Sequence, residues 1–296
     1  MSQKDLASVK RMCSIHPVYD VMNGDARQEI KIHEHGMVAL VDVMPRFAPV
    51  GKTADFAIVQ AARVSYGDGT KEVHEDQGLI RYLMRHRHTT PFEMVEFKFH
   101  HVMPIFIARQ WIRHRTANVN EYSARYSMVK DRFYIPDVES VRAQSKSNRQ
   151  GGDTRMEEGE ASSFLCSLNQ ACTNAYEKYT MALSKGMSRE QARMILPLNV
   201  YTEWYWKIDL HNLFHFLSLR MDPHAQQEIR DYANAMFTLI QPIVPVAAQA
   251  FLDYRLNAMT LSSLEIEAMR SRQPLASDNK REQAEWEEKK QKLGWS

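Results

Sequence analysis

Residues 95–100 constrain the fold most. Val95, Phe97 and Phe99 alternate with Glu96, Lys98 and His100, a period of two that places one face in a core and the other toward polar surroundings. Such a half-buried strand cannot stand alone. Met37–Met44 (MVALVDVM) reads as a second strand, closed by Pro45. Most other periodic stretches are helical. Phe56, Val59 and Ala62–Arg63 recur at helical spacing between Asp55 and Val64, before a turn at Gly67 and Gly69. Leu79, Ile80, Leu83 and Met84 form one helical face from Asp76 onward, ended or interrupted at Thr90-Pro91. A helix from Ile105 to about Arg115 follows Pro104, a residue suited to a first turn. Phe133–Ile135 reads as a further short strand. Helices with few strands, without regular βαβ alternation, make the fold class α+β rather than doubly wound α/β.

Further along, residues 142–162 carry almost no large apolar side chain and read as a mobile loop or insertion. A long helix then shows Leu165, Leu168, Cys172, Ala175 and Tyr179 on one side, with Gly186 as its C-terminal cap. Ser188-x-x-Gln191 is a capping-box pattern, and Asp209 is placed to cap a helix carrying Leu210, Leu213, Phe214 and Leu217. Another helix spans about His224 to Gln241, broken by Pro242 and Pro245, and Ser262-x-x-Glu265 opens one more. The organisation expected is an irregular arm over 1–36, a main domain over 37–255, and a charged helical tail over 256–296. Within it, residues 278–293 are charged, with Trp286 and Leu293 as their main large apolar residues, and are expected to be solvated or to face a partner.

Charge and cysteine content exclude several function classes. Lys and Arg number 38 against 36 Asp and Glu, a net charge of +2, which argues against a nucleic-acid coat protein or a polybasic membrane binder. The three cysteines, Cys13, Cys166 and Cys172, form no CxxC pair and no disulfide framework. A reducing, cytoplasmic setting is the expectation. The start lacks a signal-type apolar run, and Ala235–Leu252 contains Gln241, Pro242, Pro245 and Gln249, so no membrane span is expected.

The chemistry concentrates in residues 109–125, RQWIRHRTANVNEYSAR, with arginines at 109, 113, 115 and 125 and one acid, Glu121. If the helix continues through Arg113, Arg109 and Arg113 share a face, which costs stability unless an anion sits between them. Asn120, Glu121, Tyr122 and Ser123 are typical of ligand-binding loops. The planar guanidinium suits phosphate and carboxylate. This reads as an anion site for a phosphorylated small molecule; a solvated helix face followed by a capped loop is the other reading, and composition does not choose between them.

Arg113-His114-Arg115, seven residues and then Ser123 match the RHRx7S signature, and the stretch resembles flavin-dependent thymidylate synthases. Similar blocks stand in the family's order outside it: Ala61–Ser65, Thr90–Glu93, Pro104–Phe106, Arg109–Trp111, Tyr134–Pro136, Ala192-Arg193, Leu196–Asn199, Leu219-Arg220 and His224–Gln226. The resemblance covers roughly 37–250. It implies a small, mostly antiparallel sheet with several long helices. It also implies conversion of dUMP to dTMP, with methylenetetrahydrofolate as carbon donor and FAD, reduced by NADPH, as hydride carrier. Homotetramers with active sites shared between subunits are implied as well.

On the same resemblance, Arg220 is the catalytic residue, holding the uracil edge and favouring its N3-deprotonated form. Gln110, Trp111, Ile112, Arg113, Glu121, Tyr122, Ser123, Ala124, Arg125 and Arg193 match nucleotide-binding positions. Ser65, His88, Thr90, Glu93, Arg113, His114, Arg115, Asn120 and Glu121 match the flavin site. Asp209, His211 and His215 stand where many members carry Asn-x-Arg and Asn as flavin contacts, a departure in chemistry; Asp209 also reads as a plain N-cap. None of the cysteines lies in a site-like block, so a methylation without a cysteine nucleophile is expected. Ser123 lacks an evident base and reads as a binding residue rather than a nucleophile. No GxGxxG is present, so any FAD is held without a Rossmann fingerprint. His211 and His215 are also spaced i, i+4, but no third ligand or HExxH accompanies them, and no metal is expected. Two other classes remain as alternatives: a non-catalytic RNA- or nucleotide-binding protein stacking bases on Trp111, Tyr122 and Tyr126, and a metal-dependent nucleotide phosphohydrolase.

Overall fold

The computed structural model describes residues 15–17 (as backbone), 28–64, 76–145 and 151–295. The expected turn at Gly67 and Gly69, and Ser65, lie outside the described residues. The chain forms two compact units, Met1–Ala250 and Phe251–Ser296.

The first unit is built on a five-stranded antiparallel sheet in the order β2-β3-β5-β9-β6. Its strands are β2 (Glu29–Ile32), β3 (Gly36–Met44), β5 (Glu96–Pro104), β9 (Tyr201–Asp209) and β6 (Asn118–Glu121). Two short antiparallel pairs accompany it: β1 (Ile15–Pro17) with β4 (Phe47–Pro49), and β7 (Arg142–Gln144) with β8 (Gly152–Arg155). The helices are α1 (Asp55–Val64), α2 (Asp76–Arg85), α3 (Ile105–Trp111), α4 (Glu158–Ser184), α5 (Arg189–Ala192), α6 (Leu210–Arg220), α7 (Gln227–Ile240) and α8 (Pro245–Phe251). This is the α+β class with an antiparallel sheet that the sequence implies.

The centre of the sheet is the pair β5 and β9, in register from Glu96↔Asp209 to Pro104↔Tyr201. Phe97, Phe99 and His101 on β5 and Trp204, Trp206 and Ile208 on β9 are buried. The buried imidazole of His101 accepts a hydrogen bond from Trp204 Nε1 (3.2 Å), and burial holds its pKa well below the usual value, so it stays neutral. Helices α3 and α7 pack on this sheet, and α6 packs on β9 and α7. Trp111, at the end of α3, stacks on Phe216 of α6 with ring centroids 4.7 Å apart. Tyr232 of α7 donates to Val102 O (2.9 Å) and fills the space a Cβ on Gly36 would need, which explains a glycine at the start of β3.

Several sequence expectations change. Residues 29–32, read as part of an irregular arm, pair with β3. Helix α2 ends at Arg85, and Thr90-Pro91 opens a separate 3-10 turn, Thr90–Met94, instead of terminating the helix. Helix α3 ends at Trp111; Arg113 and His114 donate backbone N–H to Gln110 O (3.4 Å) and Trp111 O (3.0 Å), a tighter turn, so Arg109 and Arg113 do not share a helical face. Phe133–Ile135 contributes only an isolated bridge, Phe133↔Val200. Within 142–162, read as a loop, stand the β7–β8 hairpin and the start of α4. Its strands are held by backbone pairing with little buried apolar surface, which hydropathy cannot register. Ser188 stands at the N-cap of α5 without a side-chain cap bond, so the expected box is not formed. Strand β9 is an element that the sequence patterns above do not include.

The second unit contains a π-helical turn (Leu252–Leu256) and helices α9 (Ser263–Ser271) and α10 (Lys280–Leu293). The capping box Ser262/Glu265 is complete. Trp286 is buried at 3% exposure and packs against Trp295 with centroids 5.6 Å apart. Lys289 donates to the buried Glu265 carboxylate (2.7 Å). The tail helix therefore buries its tryptophan within its own unit rather than leaving it to solvent. Among the described residues no helix is long and apolar enough to cross a membrane.

Candidate active site

The candidate site comprises the turn after α3, the edge strand β6 that follows a few residues later with the loop behind it, and the end of α6, which meets the turn from 106 residues further along the chain. The turn carries Ile112, Arg113, His114 and Arg115, with Arg113 and Arg115 exposed and His114 half-buried. Trp111 immediately before it is fully buried, its indole anchored against Phe216, Trp204 and Trp206. The turn is thus fixed by a core residue and offers charged ones outward. The burial of Trp111 also removes it as a base-stacking platform, which weakens the RNA-binding reading.

Arg220, the last residue of α6, meets His114. Its Nε–H donates to His114 Nε2 at 3.1 Å. An acceptor at Nε2 puts the imidazole proton on Nδ1. The His114 pKa is lowered to about 4, by burial first and then by Arg220 and His215, so the ring is neutral at pH 7. Burial also lowers the Arg220 pKa, but a guanidinium keeps its proton in proteins. The bond at Nε fixes the plane of the fork and leaves the terminal nitrogens as donors. His215 is exposed on α6 with its ring 6.2 Å from that of His114.

Strand β6 pairs with β9 and carries Asn120 and Glu121. The Glu121 carboxylate accepts from Thr202 Oγ1 (2.7 Å). Tyr122 N–H donates to Glu203 O (2.8 Å), and the Tyr122 hydroxyl donates to Met128 O (2.6 Å), closing the loop that holds Ser123, Ala124 and Arg125. Ser123 Oγ accepts from the Arg125 backbone N–H (3.4 Å). No imidazole or carboxylate bonds to it among the described residues. Arg125 lies over the Tyr126 ring, 5.6 Å from its centroid.

Some arginines are held in ion pairs. Arg46, Arg63 and Arg155 pair with Asp42, Asp76 and Glu139. Among the described residues, Arg109, Arg113, Arg115 and Arg125 have no such partner. Guanidinia without a carboxylate partner on the end of α3, the turn after it and the 121–125 loop are a donor set for phosphates.

The remaining sequence-derived positions lie on several elements. Thr90 and Glu93 stand on the 3-10 turn Thr90–Met94, and His88 is exposed just before it, its ring 5.8 Å from that of Tyr82. Arg193 opens the 3-10 turn Arg193–Ile195 and donates from Nε to Glu190 O (3.3 Å). Asp209 is an N-cap: Oδ1 accepts from Asn212 N (2.9 Å) and Oδ2 from Asn212 Nδ2 (2.7 Å), so both its oxygens are engaged. His211 is half-buried on the first turn of α6. Gln110 donates from Nε2 to Gln226 Oε1. The sequence marks Gln226 only as part of a block and assigns it no contact. No group of three His, Cys, Asp or Glu is arranged to hold a metal ion among the described residues.

An antiparallel α+β scaffold here presents arginines without carboxylate partners among the described residues beside a neutral imidazole that holds a guanidinium, a donor set suited to anions. The family model described as thymidylate synthase complementing protein matches residues 46–246. A flavin-dependent thymidylate synthase of Dictyostelium discoideum is 66% identical over 275 residues, 93% of this chain and 90% of that one. That of Gluconobacter oxydans is 53% identical over 245 residues, 82% and 78% of the two chains. The structure of a UMP/dUMP methylase PolB from Streptomyces cacaoi, bound with 5-Br dUMP, superposes with a TM-score of 0.66 at 35% identity, covering 77% of this chain and 99% of that one. The chain belongs to the flavin-dependent thymidylate synthase family.

Proposed function

We propose that the protein methylates dUMP reductively to dTMP. Methylenetetrahydrofolate is the carbon donor, FAD the hydride carrier and NADPH the reductant. Family membership supports the reaction class and a flavin. The observation that carries the reading to residue level is the Arg220–His114 hydrogen bond. It supports the reading because it supplies an oriented cation, held by a neutral ring of the RHR turn, of the kind that negative charge on a uracil ring needs as a partner.

Uracil C5 attacks a one-carbon unit only when electron density is pushed into the ring. Arg220 stabilises the N3-deprotonated, electron-rich form without a covalent bond. No cysteine is assigned a part in this chemistry; of the described ones, Cys166 is exposed on α4 and Cys172 is buried beside Asn199. Gln110, Ile112, Arg113, the 121–125 loop and Arg193 bind the nucleotide. Trp111 serves by anchoring the turn.

The donor set fits a flavin dinucleotide. Arg113 and Arg115 have no carboxylate partner among the described residues and suit a pyrophosphate. His88, Thr90, Glu93, His114 and Asn120 complete the cradle, with His211 and His215 on α6 at its rim. A bound flavin supplies hydride transfer. The active assembly we propose is a cytoplasmic homotetramer with shared sites, which binds neither nucleic acid nor membrane.

The test is the anaerobic visible spectrum of the purified protein with FAD as NADPH and then dUMP are added, followed by dTMP analysis after methylenetetrahydrofolate. The expected result is a flavin spectrum bleached by NADPH, faster with dUMP, and dTMP formed at the expense of dUMP. Light scattering should return the mass of four chains. Failure to bind flavin at excess FAD, or activity abolished by chelators and indifferent to FAD, would overturn the reading.

A further inference from the structure

We propose that Gln226 is a positioning residue that fixes the amide of Gln110 for the nucleotide. The inference rests on the dUMP reading above. Gln226 occupies the N-cap of α7, with φ −53° and ψ 136°, yet makes no side-chain cap bond. Helix starts favour Ser, Thr, Asp or Asn, whose short side chains accept from the first-turn N–H groups. This one carries a longer side chain that leaves the helix end uncapped and instead accepts the Nε2–H of Gln110, 116 residues earlier.

The bond fixes an amide that would otherwise turn freely. A free glutamine side chain samples several rotamers, and its amide offers two N–H donors and a carbonyl acceptor in whichever direction it happens to face. Tied to Gln226, the Gln110 amide is held in place, with the groups not used in the bond left for a ligand. Pre-setting that position spares the ordering cost on binding.

The position of Gln226 is itself fixed by the loop that leaves Arg220. His224 N–H donates to Asp222 Oδ1 (2.8 Å), and Ala225 N–H to Asp222 O (2.9 Å). Arg230 Nη1 donates to Pro223 O (2.7 Å), and Arg230 N–H to Gln226 O (3.1 Å). Arg220 and Gln110, which reach the nucleotide from elements distant in sequence, are therefore tied to one braced segment.

The experiment uses the full-length protein, with dUMP affinity by calorimetry and steady-state KM and kcat with FAD. Gln226→Met keeps length and removes the acceptor. Gln226→Asn is a better N-cap residue but too short to reach Gln110. Both should weaken dUMP binding and raise KM about fivefold, the worth of one neutral hydrogen bond, with kcat within about twofold and the melting temperature unchanged or, for Asn, raised. In a Gln110→Ala background Gln226→Met should add nothing, since the two act as one unit.

A Gln226→Asn protein that binds dUMP like the wild type would overturn the proposal. So would an equal fivefold loss from Gln226→Met in the Gln110→Ala background. Either result with wild-type dUMP turnover intact leaves the dUMP reading standing. A wild-type protein that neither binds nor methylates dUMP overturns both.

Discussion

Helix α3 and the turn that follows it are adjacent in the chain and opposite in how their side chains are satisfied. Ile107, Ala108 and Trp111 are buried in a dense aromatic cluster, with Trp111 touching Trp204, Trp206 and Phe216. Arg113, Arg115 and Arg125 are exposed and lack carboxylate partners among the described residues. Other arginines are neutralised, as Arg63 is by Asp76 at 2.6 Å. The contrast separates charge used to hold the fold from charge kept available for a ligand. Rigidity for the second comes from the first: the donors can stay unpaired and still be well placed because the residue before them cannot move.

That division of labour can be broken at its packed end. Trp111→Ala should lower the unfolding free energy by about 3–5 kcal/mol, the usual cost of emptying an aromatic core position, read from denaturant titration. Arg220→Ala should leave folding and bound flavin intact while reducing kcat for dTMP formation by about 10²–10³-fold, as for loss of one preorganised electrostatic contact; wild-type turnover would remove Arg220 from its assigned role. Ser123→Ala should weaken dUMP binding about fivefold and leave measurable activity; complete loss of activity with intact binding would make the serine a nucleophile after all. Arg113→Ala should shift stability by no more than about 0.5 kcal/mol while weakening the retention of flavin and dUMP on a desalting column.

The smallest effect concerns acid. His114 titrates at about 4 in the folded chain, with Arg220 and His215 facing it, against about 6.5 unfolded. Between those values the unfolded chain binds more protons, so this group's contribution is complete above about pH 6.5 and is lost as pH falls toward 4. His114→Gln keeps an acceptor for Arg220 and cannot titrate. Its urea midpoint should fall less than that of the wild type between pH 7 and pH 5.

How much of this is legible in the sequence depends on range. Strands β3 and β5 and helices α1, α4, α6 and α7 announce themselves through local periodicity. The Ser262/Glu265 box and the Asp209 cap do so through residue chemistry. Strand β9 does not, although Trp204, Trp206 and Ile208 alternate with Tyr205 and Lys207. Its aromatic residues lie beside charged ones, and Tyr201 and Thr202 are buried together, which blurs a period of two. Strand β6 has four exposed residues and is a strand only because β9 pairs with it. At the site, the RHRx7S motif marks the turn and loop. The contacts that give them direction, Arg220 to His114 and Gln110 to Gln226, span more than a hundred residues, and no local pattern encodes them.

The pairing of β5 with β9 also sets an order of events in folding. Partners at its centre, such as His101 and Trp204, are 103 residues apart, so the loop between them must be closed before the contact repays its entropy. Until residues beyond 209 leave the ribosome, β5 presents Phe97 and Phe99 on a strand with one edge unpaired, a template for association with other chains. The step that closes the sheet also brings Arg220 toward His114. A nascent chain therefore leaves its most aggregation-exposed form in the same step that brings these two side chains together.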